Sequence, residues 1–474
     1  MTHAWISTLA PFRPLPVAAM VFACAHPGDA QRARTDAQIA AEIGRYMQAA
    51  VTFEKFTGAI LVARDGRPIV NRAYGLANVE LGVPNTPRTV FRLASLTTQF
   101  TAAAIMLLQE RGQLSVDHPA CQYLANCPPA WQPITIRQLL TMTAGIPSAH
   151  GVELGPLQGF PVPWSQWVDA IGRKPLLFPP GTDLAYDYSG YNLLGFIIEK
   201  LSGQTYGEFI SRNIFAPLGM THTGYEDPLR IVPHRATGYR QLPGDPITNV
   251  PYIEVIRLYA AGGVYSTTAD LLRWDQALAT GKLLSRPSID AMHAPAMELL
   301  PGKAYASGVW ITQRHGRTEI ANGGNLPGFL SHMARYPSDR VTVIVLSNNG
   351  GGSSGKISGV LSAIVFGAPY EMPYERKAVS VDAAVLERYV GEYRLQLPKL
   401  TMVMTREGGR LFMRRDAEPK VELFAESDSR FFLKVEDVQL TFETDASGVV
   451  TGVVVHQGDS GRYDVLRGRR ESPM

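Results

Sequence analysis

The sequence predicts an α+β fold: an antiparallel sheet carrying a helical insertion, followed by a separate small all-β unit. Three observations point there. Strand-type segments stand at 56–63 and 341–346, with helical periodicities between them. Beyond Pro373 the pattern changes to short alternating segments divided by turn residues. Finally, 474 residues exceed what one core of about 250–300 residues accommodates, so two units are expected.

The first thirty residues differ from the rest. Arg13 precedes an apolar run from Leu15 to Ala25, far shorter than a membrane span of ~20 residues, and Ala23, Ala25 and Ala30 offer small residues for cleavage. Residues 1–30 are expected to be a secretory signal, with a disordered start as the alternative. The mature protein is then exported, periplasmic or secreted, with lipid attachment at Cys24 as the minority reading, and no later run is long enough to span a bilayer.

Ile39, Ile43, Met47 and Val51 recur at helical spacing, so 36–50 is expected to form an amphipathic helix. Phe56 to Ala63 followed by Arg64-Asp65-Gly66-Arg67 reads as a strand and a tight turn into a second strand. Phe100 to Leu108 is apolar nearly all round and stops at Gly112, as expected of a helix buried at the centre of a domain. Helical patterns follow at 134–143, 192–201 and 268–279, and Val341 to Leu346 is a β-branched strand. From Leu386 on, segments at 400–404, 411–413, 431–434, 440–442 and 449–455 alternate with turns. The expected units are therefore 1–30 (signal), 35–370 and 380–474.

Lysine and arginine number 45 against 42 acidic residues, a net charge of +3 spread without a block, which argues against a nucleic-acid partner. No His, Cys, Asp or Glu cluster has metal spacing, and no glycine-rich loop joins a strand to a helix as a phosphate cradle would, so neither metal nor cofactor is expected. In an oxidising compartment Cys121 and Cys127 are expected to form a local disulfide; two buried thiols are the alternative.

Ser95 precedes the buried helix, where free backbone amides and the helix dipole favour negative charge on its oxygen; the plainer reading is that it caps the helix. Its surroundings, Phe91-Arg92-Leu93-Ala94-Ser95-Leu96-Thr97-Thr98, resemble the Ser-x-x-Lys nucleophile motif of the serine β-lactamase and penicillin-binding-protein superfamily, in the branch of class C β-lactamases, D-peptidases and esterases. The resemblance runs from about Phe56 to Asn349 and includes Thr101 to Ile105, Thr135 to Thr141, Pro180-Gly181-Thr182, Gly190 to Gly195, Ala261 to Thr267 and Pro327-Gly328-Phe329 in family order. It implies a β-lactamase/transpeptidase-like fold, and the C-terminal unit resembles the small barrel-like appendages of some relatives.

The resemblance also implies site residues, with departures. The family lysine is Thr98 here, a residue whose hydroxyl cannot act as a base near neutral pH. The Tyr-x-Asn motif aligns with Tyr186-Asp187-Tyr188, which keeps the tyrosine and replaces the asparagine by Tyr188. The Lys-Thr-Gly or His-Gly-Gly motif reads Asn322-Gly323-Gly324, with Gly323 and Gly324 lining the cleft, and the backbone amides of Ser95 and Asn325 are the expected oxyanion hole. Ser353-Ser354-Gly355-Lys356 repeats the nucleophile spacing, but with no buried helix expected behind it, and is read as coincidental. His150 is a further potential base.

The expected function is acyl transfer on ester or amide substrates through Ser95 by a β-lactamase-related serine hydrolase, impaired because Thr98 replaces the lysine. The alternative is a catalytically silent relative whose cleft binds peptide or cell-wall fragments. The partner is a small-molecule or peptide substrate, and the oligomeric state is not legible.

Overall fold

The computed structural model describes residues 34–148, 171–251, 258–300, 302–395, 400–457 and 465–471. The expected signal at 1–30, Cys24 and His150 lie outside the described residues. No helix among the described residues is long and apolar enough to cross a membrane.

Helix α1 (Asp36–Phe53) leads into the hairpin β1 (Gly58–Arg64) and β2 (Arg67–Tyr74). The chain then leaves the sheet for the helical insertion, which contains α2 (Thr98–Glu110), α3 (Ser189–Ser202) and α4 (Thr268–Thr280). It returns through β3 (Met297–Leu300), β4 (Lys303–Tyr305), β5 (Trp310–Arg314), β6 (Arg317–Leu326), β7 (Phe329–Tyr336) and β8 (Val341–Ser347), and ends in α5 (Ser354–Phe366). These strands form one antiparallel sheet of order β3-β4-β5-β6-β7-β8-β1-β2. The first and last strands of the domain thus pair with each other, Gly58 opposite Ser347, with only β2 beyond them on that side of the sheet.

Both faces of this sheet are covered, and β1 shows how. Ala59, Leu61 and Ala63 join the large core around α2, whereas Ile60 and Val62 pack with Ile39, Ile43 and Met47 of α1 and Ile357, Leu361 and Ile364 of α5. Period-two alternation therefore sends successive residues into two different cores. Helix α2 is buried from Thr98 to Leu108. Phe100 meets Trp274 of α4 with ring centroids 4.8 Å apart and Phe215 at 5.4 Å, so the helix that follows Ser95 is clamped by aromatic packing.

Two expectations are corrected. The helix expected at 134–143 is shorter, Ile136–Leu140: Thr135 and Gln138 form a capping box at its start, and Met142 at φ 57° ends it. The Ser353 to Lys356 string does have a buried helix behind it. Ser353 is the N-cap of α5, accepting from the Lys356 amide, and the Lys356 ammonium pairs with Glu54 Oε1 at 2.5 Å. The string is a helix cap and an ion pair.

The C-terminal unit is a closed barrel of eight antiparallel strands: β9 (Gly391–Leu395), β10 (Leu400–Glu407), β11 (Arg410–Arg415), β12 (Val421–Ala425), β13 (Arg430–Phe432), β14 (Val438–Thr444), β15 (Val450–Gln457) and β16 (Val465–Arg470). Closure removes the exposed edges of a free sheet. The inward residues form their own core, and Tyr389, just before β9, stacks on Phe442 at 4.1 Å. The barrel touches the first domain through Arg240, which donates to the Val435 carbonyl at 2.7 Å, and through Asp437, held between Arg376 and Lys356.

Cys121 and Cys127 are bonded, six positions apart. So short a loop loses only about 2 kcal/mol of unfolded-state entropy, so Cys121→Ser/Cys127→Ser should lower unfolding stability by about that much or less and leave the far-ultraviolet circular dichroism unchanged. Denaturant titration checks this; loss of the folded state would show that the bond holds more than its own loop.

Candidate active site

The site is built where the entrance to α2 meets the edge of β6. Ala94 takes φ 50°, a left-handed conformation for a residue with a Cβ, and turns the chain from the short strand Phe91–Arg92 into a single 3₁₀ turn, Ala94–Thr97, that runs into α2. From Leu93 to Phe100 every residue is buried except Ser95, which is half-buried. Among the described residues its hydroxyl makes no hydrogen bond, and neither the 3₁₀ turn nor α2 has a side-chain cap. The capping reading of Ser95 therefore fails.

Strand β6 runs past its neighbour β5, whose pairing with it stops at Trp310 opposite Ala321, so from Asn322 onward one edge of β6 faces the nucleophile turn instead of a strand. The approach is close. A Cβ on Gly324 would lie 2.0 Å from the Leu93 carbonyl oxygen and 2.8 Å from the Ala94 Cβ, so this position admits only glycine. The Gly323 amide donates to the Asn322 side-chain oxygen at 2.9 Å, toward the edge that lacks a strand. The Asn325 amide, two residues on, points to the same edge by the alternation of a strand, and Asn325 is exposed.

Thr98 and Asn322 meet inside. The Thr98 hydroxyl lies 2.9 Å from the Ser95 carbonyl and 3.0 Å from the Gly308 carbonyl. The Asn322 amide nitrogen donates to Thr98 Oγ1 at 3.0 Å, to Gly308 O at 2.9 Å and to Ser95 O at 3.1 Å. This is a closed, neutral network: both side chains are buried and their hydrogen-bonding groups are used. Gly308, at φ 83°, lies between β4 and β5; a Cβ there would come within 2.9 Å of the Gln99 backbone.

Tyr186 is half-buried just before α3 and packs on a wall of rings: Tyr305 at 5.6 Å edge-on and Trp310 at 5.9 Å stacked. Burial, with the neighbouring Tyr191 and Tyr186 phenols adding to it and Thr98 opposing it, holds the Tyr305 phenol well above its usual range. Burial does the same to Tyr191, so neither phenol is a base near neutral pH. Tyr188 starts α3 and is half-buried against the core; Asp187, between the two tyrosines, accepts from Ser148 Oγ at 2.6 Å and from the Ser189 amide. His332 pairs with Gly323 across the strands, so it lies on the face of the sheet opposite Asn322 and away from Ser95.

The structure thus brings Ser95, Thr98, Asn322, Gly323, Gly324 and Asn325 together, with Tyr186 reaching them through Tyr305. Sequence reasoning missed Gly308, Tyr305 and Trp310. Their signal was faint: one glycine before a tryptophan, in a stretch with no clear alternation. No group of His, Cys, Asp or Glu among the described residues is arranged to hold a metal ion.

A family model described as Beta-lactamase matches residues 45–360, and one described as Domain of unknown function (DUF3471) matches 375–470. A penicillin-binding protein of Bacillus subtilis (strain 168) is 33% identical over 413 residues, covering 82% of this chain and 90% of that protein. A second, putative penicillin-binding protein of the same organism is 31% identical over 294 residues, covering 62% and 71%. Among solved structures, the octameric penicillin-binding protein homologue from Pyrococcus abyssi superposes with TM-score 0.64 at 23% identity over 90% of this chain and 99% of that one. EstCE1, a hydrolase with promiscuous acyltransferase activity, superposes with TM-score 0.59 at 23% identity over 70% and 99%.

Proposed function

Because the chain belongs to the β-lactamase family, we propose that Ser95 is an acyl-accepting nucleophile for ester or amide substrates, slowed by the exchange of the family lysine for Thr98. Ser95 Oγ attacks the substrate carbonyl carbon, and its proton passes through water or the Tyr186 phenol to the leaving group. The carbonyl oxygen becomes an oxyanion held by the amides of Ser95 and Asn325, and the carbon–leaving-group bond breaks to give an acyl-serine that water hydrolyses. The observation that carries this reading is the half-buried Ser95 hydroxyl, without a hydrogen-bond partner among the described residues, at the entrance of a buried helix. The Thr98–Asn322 network favours the second reading, a silent binding cleft, because no cationic side chain takes part in it.

An alkyl fluorophosphonate tests the two. Intact-mass spectrometry should show one adduct per chain on the wild type and none on Ser95→Ala. An unlabelled wild type, or a labelled Ser95→Ala, removes Ser95 as the nucleophile and leaves the binding reading. The division into domains at 35–370 and 380–474 is likewise our reading, supported by the separate barrel core and the two family matches. Export is supported by the disulfide.

A further inference from the structure

Arg92 stands three residues before Ser95 and Pro327 two residues after Asn325, and between them opens a cavity of about 330 Å³ that the proposed chemistry does not use. Its lining includes Arg92, Arg235, Asn249, Pro327 and Phe329, and among the described residues that line it there is no acid. Behind it sits one buried carboxylate, Glu226, which Arg92 reaches through Nε at 2.9 Å and Arg235 through Nη1 at 3.3 Å. Two guanidinium groups share a single carboxylate, so one positive charge remains. Each is partly exposed, with side-chain accessibilities of 24% and 33%, and each engages Glu226 through one of its three nitrogens. Arg92 is further braced over the Phe329 ring at 5.6 Å. Glu80, outside the lining, keeps its negative charge and accepts from Asn249 on the opposite wall and from Tyr239.

The direction of the cleft tells which part of a substrate would reach this charge. Along β6, Asn322 lies beside Thr98 and Gly324 beside Leu93 and Ala94; Phe329, which opens β7 opposite Leu326 at the end of β6, lies beside Arg92. Tyr186, stacked on Trp310 opposite Ala321, and Arg92, beside Phe329 opposite Leu326, therefore stand at opposite ends of the stretch of β6 that faces the Ser95 turn. The leaving group must take up a proton, so it belongs at the Tyr186 end, and the acyl portion extends toward Arg92. Pro327 follows Asn325 by two residues and so lies at most about 7 Å along the chain from it, the reach of a four-methylene chain from the reacting carbonyl.

We propose that Arg92 and Arg235 form an anion subsite for a carboxylate on the acyl portion of the substrate, so that the preferred acyl donors are dicarboxylic monoesters or acyl groups with an acidic end. The proposal rests on the reading of Ser95 as the acylation centre, which fixes the direction of the cleft, and its test uses binding alone. Isothermal titration of monomethyl adipate and of methyl hexanoate into Ser95→Ala compares the same acyl length with and without the carboxylate. Monomethyl adipate should bind about tenfold more tightly, as expected of charge-assisted hydrogen bonds in a partly exposed site. Adding Arg235→Gln should abolish the difference, and Arg235→Lys should restore part of it. Equal affinities in Ser95→Ala, or a preference that survives Arg235→Gln, would overturn the subsite. Failure of Ser95 itself is read separately by the fluorophosphonate, so the two outcomes are distinguishable.

Discussion

Thr98→Lys alone should raise p-nitrophenyl ester hydrolysis little, and Thr98→Lys with Asn322→His should raise it by about 10²-fold or more, the usual worth of a restored general base. The acceptors that an ammonium needs are present, since the carbonyls of Ser95 and Gly308 converge on the Thr98 hydroxyl. The Asn322 amide nitrogen also points there, and two donors would oppose each other. Rotating the amide by half a turn gives no relief, because its oxygen holds the Gly323 amide and would be exchanged for a second donor. A neutral imidazole at 322 can present an acceptor instead. Groups that act as a unit are not additive, so the double variant should exceed the product of the single effects. Steady-state kinetics of the four proteins of this cycle, with Ser95→Ala as background, measures it. A large gain from Thr98→Lys alone would mean that Asn322 yields without cost; no gain from the double variant would mean that Tyr188 or the aromatic wall also blocks the chemistry.

Acid should destabilise the fold through buried histidines. Burial pushes His332 down from its ordinary value near 6.5 to about 4; the Glu319 carboxylate opposes this, while Arg314 and Lys303 add to it. Burial likewise pushes His293 down to about 3. Below pH 6.5 the unfolded chain takes up protons that these folded rings refuse, so stability is complete above about pH 6.5 and falls as the pH drops toward the folded values. For His332 the loss reaches about 3 kcal/mol by pH 4, at 1.36 kcal/mol for each unit of displacement. Melting temperatures from pH 7.5 to 4 should show this slope, and His332→Gln should flatten it by that residue's share, leaving the share of His293. An unchanged slope in His332→Gln would show that its ring protonates without cost. Glu319 adds a second loss at lower pH: burial raises its pKa, but Arg314, His332 and Tyr336 outweigh burial and leave it below the usual carboxylate range.

By itself the sequence determined what local periodicity and residue type can encode. The 36–53 helix, the 58–74 hairpin, the buried helix after Ser95, the 341–347 strand and most strands of the barrel were legible because each keeps one period over a whole element. The order of the motif remnants around Ser95, Tyr186 and Asn322 was legible through the resemblance to the serine β-lactamase and penicillin-binding-protein superfamily. The strands β6 and β7 were not, because a strand buried on both faces loses its alternation, and Asn322-Gly323-Gly324 has the composition of a turn. Only the tertiary structure decided that these glycines lie in a strand, since the need for them arises from the Leu93 carbonyl pressed against Gly324. It also decided that Thr98 and Asn322, far apart in the chain, close on each other and on Gly308, and that Lys356 donates its amide to the Ser353 cap and pairs with Glu54 instead of serving a serine. Hydrogen bonds between distant segments depend on the packing that brings them together, and that packing is a property of the whole fold, which no local window contains.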